Sequence, residues 1–388
     1  MHFYNFELFC QMLADDIRLN AYSDALQRAI TKDSIVLDIG AGTGFFSLLA
    51  AQLGAKKVYA IEPNPLIQVA KENASANGLE DKIEFVQKLS TDMELKEKAD
   101  VLVCDLRGPL PFYGFSVATV IDARKRLLKS NAVIIPQKDS VYFAIAESPK
   151  IYKENISKLA QDFRGFHMPS ARKMLTSRIL TTNPEENERF LAEPALFGVL
   201  DYTTIDETSF STDFSYKITE DGVAHGLRAW FEADLGGEIS FSNSPKQPGT
   251  VYGCPFLPFE NEVEIKTGDL ALVNVSVLFV NGNYTCLWNT KIYSGGDKNN
   301  LKAEFKQSTT GNLIVPPELL SRRSEYFVPQ NNLEVEIERT ILNMIDGENP
   351  HGDIADKLVK NFPDIFQNFE NALNRVVMIS NRYAGADN

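Results

Sequence analysis

Between Ser34 and Pro149 short β-branched runs alternate with helix-like stretches, and this alternation constrains the fold more than any other feature of the chain. Ser34–Gly40 (SIVLDIG), Lys57–Glu62 (KVYAIE), Lys82–Gln87 (KIEFVQ), Asp100–Asp105 (DVLVCD) and Asn131–Pro136 (NAVIIP) read as strands. Phe45–Ala55, Pro65–Gly78 and Val117–Leu128 read as the helices between them, the first two with glycine stops. Strands joined through helices cannot pair as hairpins, so the expected product is a parallel sheet with helices on both faces.

The rhythm changes on either side. Residues 1–30 place Phe6, Phe9, Met12, Leu13 and Ile17 at helical spacing, which predicts amphipathic helices. Residues 150–200 are mixed and partly helical, and short alternating strands from about Asp201 to Ile292 predict a mostly antiparallel β-domain. Pro316–Asn332 reads as a linker, and residues 333–383 as three amphipathic helices broken at DGENPHGD and NFPD. The expected division is 1–30 over the sheet, 31–149 for the parallel α/β domain, 150–310 for the β-domain, 311–332 for the linker and 333–388 for a small third domain. A length of 388 residues accommodates these pieces.

Composition narrows the function classes. Against 39 Lys and Arg stand 52 Asp and Glu, a net charge of −13, which argues against a broad face for nucleic acid. The basic strip Ala123–Lys129 is the solvated side of a helix. The four cysteines are scattered without a C-x-x-C pair, so reduced thiols are expected and no metal site. Acids at Glu7, Asp15 and Asp16, and the lack of any 18-residue apolar run, predict neither a signal peptide nor a membrane span and therefore a cytoplasmic protein.

Val36–Gly44 (VLDIGAGTG) leaves a buried strand and enters a helix, with Gly40, Gly42 and Gly44 allowing a ligand close to the backbone. Dinucleotide-binding domains carry a similar run. Two carboxylates separate the readings. Asp38 lies where it would repel a pyrophosphate but suits an ammonium group, unless it only stabilises the turn. Glu62 closes the second strand, where it can accept hydrogen bonds from ribose hydroxyls. A ligand with a ribose, an amino group and no phosphate is S-adenosylmethionine (SAM).

Val36–Asn64 resembles the SAM-binding segment of class I methyltransferases, and most closely that of the protein arginine methyltransferases; the resemblance spans roughly residues 4–300. It implies a Rossmann-like domain, a β-barrel-like domain and, beyond the family core, a helical or winged-helix-like C-terminal domain. Met12–Leu26 resembles the family's helix over the cofactor, with Arg18 where an arginine meets the methionine carboxylate. Leu89 and Ser90 are the counterparts of its adenine contacts, although Thr91 replaces a glutamate. A helical arm within residues 150–200, including Ile156–Phe163, would dock a homodimer, the alternative being an excursion packed on its own barrel. The tail resembles winged-helix units that hold peptides.

The acceptor loop departs from the family. Its two glutamates, which grip and orient a guanidinium, correspond here to Asp105 and Gly114. Thr250 is followed by Val251 and Tyr252 instead of a histidine–tryptophan pair, and Phe9 stands where the family often has a histidine. Arg107 also enters the loop. Pointing inward about 5 Å from an acceptor guanidinium it would cost on the order of 3 kcal/mol; pointing outward it would cost nothing. The resemblance thus implies a SAM-dependent methyltransferase with an altered acceptor site, acting on a non-arginine group of a peptide, protein or small molecule, with Asp105 and Tyr113 as candidate catalytic residues. The alternatives are an arginine methyltransferase with an atypical site and a catalytically silent SAM-binding scaffold.

Overall fold

A computed structural model describes residues 6–159, 162–312 and 325–383. The chain divides into two compact units, Met1–Leu313 and Ile314–Asn388.

The first unit opens with α1 (Phe6–Leu13) and α2 (Asp16–Ala29). Asp15 caps α2 by accepting from the Arg18 amide at 3.0 Å. The buried side of α2 is Arg18, Ala21, Tyr22, Ala25 and Leu26, one helical stripe with a charge at its head. Then come β1 (Ile35–Ile39), α3 (Phe45–Gln52), β2 (Lys57–Ile61), α4 (Ile67–Ala76), β3 (Ile83–Val86), β4 (Ala99–Cys104), α5 (Ser116–Arg126) and β5 (Leu128–Ile135). The five strands pair in parallel in the order β3-β2-β1-β4-β5. Central β1 is buried at every position, as expected of a strand covered on both faces. The order reverses beside β1, so the crevice for a ligand opens at the carboxyl ends of β1 and β4.

Lys138–Glu147, within the segment assigned above to the parallel domain, pairs antiparallel with Gly222–Gly236. Pairing puts the handover at Pro136 and not at Pro149. The apolar run in KDSVYFAIAE suits a covered strand of either sheet type, so the sequence pattern alone could not place it. Two large antiparallel sheets follow, besides a two-stranded one at Asp162–Phe163 and Phe166–His167. One is built around Lys138–Glu147, Gly222–Gly236 and Cys254–Ile265; the other is Phe210–Lys217, Leu270–Val280, Asn283–Tyr293 and Leu301–Ser308. Phe143, Phe231, Phe259 and Trp288 lie fully buried in the core they share with the parallel sheet. Each contributes about 1.5–3 kcal/mol through burial.

The 150–200 segment holds the helices Pro149–Asn155 and Pro169–Thr176. Ile156–Phe163, read above as helix, instead continues as a tight turn at Ser157–Leu159 and a short strand at Asp162–Phe163; Ala160 and Gln161 lie outside the described residues. Ile151, Tyr152 and Ile156 pack on Ala146, Leu180 and Phe256, so the first helix is seated on its own β-domain.

In the second unit the described residues form the helices Leu333–Leu342, His351–Asn361 and Phe369–Tyr383 around Ile337, Ile341, Ile354, Leu358, Val376 and Ile379. No strand occurs among the described residues of this unit, which leaves the helical expectation standing without a wing. Most of the expected linker lies outside the described residues.

Candidate functional site

A cavity of about 250 Å³ opens at the carboxyl ends of β1, β2 and β4, lined by Phe9, Met12, Gly40, Glu62, Leu89, Ser90, Asp105, Tyr113 and Gly114 among others. A smaller hollow of about 40 Å³ continues under α1 and is lined by Arg18, Asp38, Gly40, Gly42, Thr43 and Asp105. The candidate cofactor residues therefore converge, with one exception: Gly44 (φ +86°) lines neither hollow. It starts α3, and a Cβ there would come within 2.8 Å of Ala70 Cβ, so its role is close helix packing. At Gly42 (φ +52°) a Cβ would sit 2.6 Å from the Phe9 ring. Phe9 thus covers the glycine turn from α1.

Burial raises the Asp38 carboxyl to about 7, against the opposing hydrogen bond from the Ser47 hydroxyl at 2.6 Å. An ammonium group arriving here would meet a carboxylate that gains from ionising. Glu62 accepts from the amides of Gly42 at 3.1 Å and Asn64 at 2.9 Å, one on each oxygen, and burial again shifts it upward. Each of its oxygens keeps a lone pair for a hydroxyl donor. Ser90 is buried and Leu89 half exposed at the cavity wall. Thr91, in the place of the family's glutamate, is exposed beside Asp92.

Arg18 is 5 % exposed. Its Nε reaches Asp105 Oδ2 at 2.6 Å and Nη1 donates to the Met12 carbonyl at 3.2 Å, while its guanidinium lies 5.1 Å from the Phe46 ring centre. Asp105 lies at the centre of a buried cluster. The hydroxyls of Tyr252 and Tyr22 donate to it at 2.7 and 3.0 Å, and Arg107 Nε stands 3.4 Å away. Burial alone would raise its carboxyl, but Arg18 and Arg107 hold it below the usual range. Arg107 takes the inward alternative but turns to the interior: Nη1 meets Asp139 at 2.7 Å, the Tyr202 hydroxyl donates to Asp139 at 2.6 Å, and the guanidinium lies 4.8 Å from the Phe231 ring centre. The repulsion expected above is therefore largely neutralised, because Asp139 balances the charge. Tyr113 lines the cavity with its ring against Gly108.

Sequence reasoning missed Tyr22, Ser47, Asp139 and Tyr202. Ser47 was visible as a lone hydroxyl in the apolar run FFSLLAA. Asp139 was visible as a single acid entering an apolar strand. Asp139 does not declare its partner, because Arg107 lies 32 residues away; the partner of Ser47, Asp38, lies only nine residues back, across the glycine turn.

Residues 23–110 match the family model described as ribosomal protein L11 methyltransferase (PrmA), and residues 137–284 match the arginine methyltransferase oligomerization subdomain. The chain is 28% identical over 310 residues to protein arginine N-methyltransferase 1 of Saccharomyces cerevisiae, covering 78% of this chain and 85% of that protein. It is 28% identical over 273 residues to a probable protein arginine N-methyltransferase 1.2 of Arabidopsis thaliana, covering 68% and 74%. A solved Trypanosoma brucei PRMT1 enzyme–prozyme heterotetrameric complex with AdoHcy superposes with a TM-score of 0.71 at 22% identity, covering 78% of this chain and 98% of that one, and supports the fold. Cavity, carboxylates and comparisons together define a class I, SAM-dependent methyltransferase. Within that class the chain resembles the protein arginine methyltransferases.

Proposed function

We propose that this chain moves the methyl group of SAM to a non-arginine nucleophile on a peptide, protein or small molecule. The residues present suit the cofactor. Glu62 offers acceptors for the ribose, Asp38 a carboxylate for the ammonium, and Arg18 a guanidinium whose Nη2 takes no hydrogen-bond partner among the described residues and can meet the methionine carboxylate. Bound there, SAM supplies a methyl group already activated on a sulfonium. The protein's part is to hold the acceptor lone pair in line with the carbon. The new bond forms as the sulfur–carbon bond breaks, S-adenosylhomocysteine leaves, and an acceptor that carried a proton releases it to water.

One observation carries the choice of acceptor. The carboxylates lining the two hollows are Asp38, Glu62 and Asp105, and each already has protein partners. No pair of acids is left to hold and polarise a guanidinium, which stays protonated at neutral pH and is a poor nucleophile. Asp105 then acts by orienting Arg18, and Tyr113 by lining the acceptor side. Labelled SAM should transfer its methyl to a component of cell extract and leave arginine-rich peptides unlabelled; efficient labelling of those peptides would overturn the reading in favour of an atypical arginine methyltransferase.

A second reading is a catalytically silent subunit, supported by the same closed cluster and by the likeness to an enzyme–prozyme assembly. Binding of S-adenosylhomocysteine without transfer to any fraction would favour it. The match to an oligomerization subdomain supports self-association, proposed as a homodimer and checked by sedimentation.

A further inference from the structure

Arg107 and Asp139 are charged, buried and absent from the walls of the cofactor cavity. Arg107 is 6 % exposed and Asp139 fully buried, and neither lines the hollow that holds Arg18 and Asp38. Two such charges are expensive to bury, and an apolar pair of similar volume would serve the core at least as well. Their connections supply a reason. Arg18 on α2 meets Asp105 after β4, Asp105 meets Arg107, Arg107 meets Asp139 on the first antiparallel strand, and Tyr202 closes the row. Charges alternate along it, two positive and two negative.

The position of Arg18 in that row matters. Asp105 and the Met12 carbonyl hold Nε and Nη1, which fixes the plane of the guanidinium. An Asp105 that had only Arg18 as its cation would cancel the charge Arg18 offers to anything else. Arg107 shares Asp105 and so leaves Arg18 with positive potential toward the hollow. Asp139 and Tyr202 in turn anchor Arg107.

We infer that Arg107 and Asp139 are positioning residues for the amino-acid end of the cofactor: they hold Asp105 and thereby keep Arg18 oriented and electropositive toward the methionine carboxylate. The inference rests on the SAM reading above. It gives the antiparallel domain, through Asp139, Tyr202 and Tyr252, a direct hold on cofactor affinity.

The test compares two ligands by calorimetry on the full chain: S-adenosylhomocysteine, and 5′-methylthioadenosine, which keeps the nucleoside and lacks the amino acid. Arg107→Met should weaken S-adenosylhomocysteine by about tenfold or more and leave methylthioadenosine within about twofold. Arg107→Lys, which keeps the charge, should recover most of that loss. Asp139→Asn, which removes the buried charge that anchors Arg107, should weaken S-adenosylhomocysteine severalfold relative to methylthioadenosine. It decides the matter if Arg107→Met fails to fold. Equal loss of both ligands, or none, in Arg107→Met or in Asp139→Asn overturns the inference. A wild-type chain that binds neither ligand overturns the SAM reading itself, a result distinct from all of these.

Discussion

Asp105→Asn separates two roles for the one acid of the acceptor loop. Were Asp105 an open general base, the change would remove activity and leave stability almost untouched. Here it is 5 % exposed in its side chain, 2.6 Å from Arg18 and 3.4 Å from Arg107, with two tyrosine hydroxyls donating to it. Asparagine keeps the volume, but its amide group would oppose the Arg18 or tyrosine donors and leave two buried cations without their shared anion. Removing one partner of a buried charge pair costs about 3–5 kcal/mol. At about 2.1 cal/mol/K per residue, a unit the size of Met1–Leu313 loses roughly 5–8 °C of melting temperature. Differential scanning calorimetry with tryptophan fluorescence reads this directly, since Trp230 and Trp288 both belong to that unit. A melting temperature within 1 °C of wild type, beside abolished methyl transfer, would refute the closed-cluster argument and return Asp105 to the acceptor.

Gly42→Ala should cost about 1–2 kcal/mol in backbone strain and push Phe9 off the glycine turn, lowering S-adenosylhomocysteine affinity about tenfold, as calorimetry would show. Burial lifts Asp38 to about 7, so the ligand-free protein keeps this proton where the unfolded chain has lost it. Its contribution to stability is therefore complete below about pH 4 and is lost as pH rises through 7. Affinity for an ammonium ligand runs the other way, rising up to about tenfold per unit between pH 5 and 7; Asp38→Asn should flatten that profile, and an unchanged slope would exclude Asp38 as the group. A fragment of residues 325–388, with its own core of Ile337, Ile341, Leu358 and Val376, should give a helical circular dichroism spectrum and a cooperative melt. A sloping, non-cooperative melt would show that this core is insufficient alone.

The parallel sheet was legible because its strands and helices follow different periods, and the apolar runs around Val36, Val58 and Val101 have no other use than a covered sheet. Asp38 and Glu62 were also readable, since ligand chemistry restricts which groups can flank a glycine turn, whereas Arg18 was legible only through the family resemblance. Pairing partners were not. Lys138–Glu147 could join either sheet until Gly222–Gly236 claimed it, and Ile156–Phe163 had helical composition but too short a run to persist as a helix. The same limit applies at the site. Arg107 read as a choice between inward and outward, and what settled it was Asp139, 32 residues away. Long-range charge complementarity leaves no local periodicity to detect.

The central claim is that Asp38, Glu62 and Arg18 form one seat for an amino-acid nucleoside without phosphate. Titrating the purified chain with S-adenosylhomocysteine and, separately, with NAD in a calorimeter at pH 8 tests it most directly. Saturable heat with the first at micromolar concentration and none with the second is the predicted result; silence toward S-adenosylhomocysteine at millimolar concentration, or saturation by NAD, would contradict it.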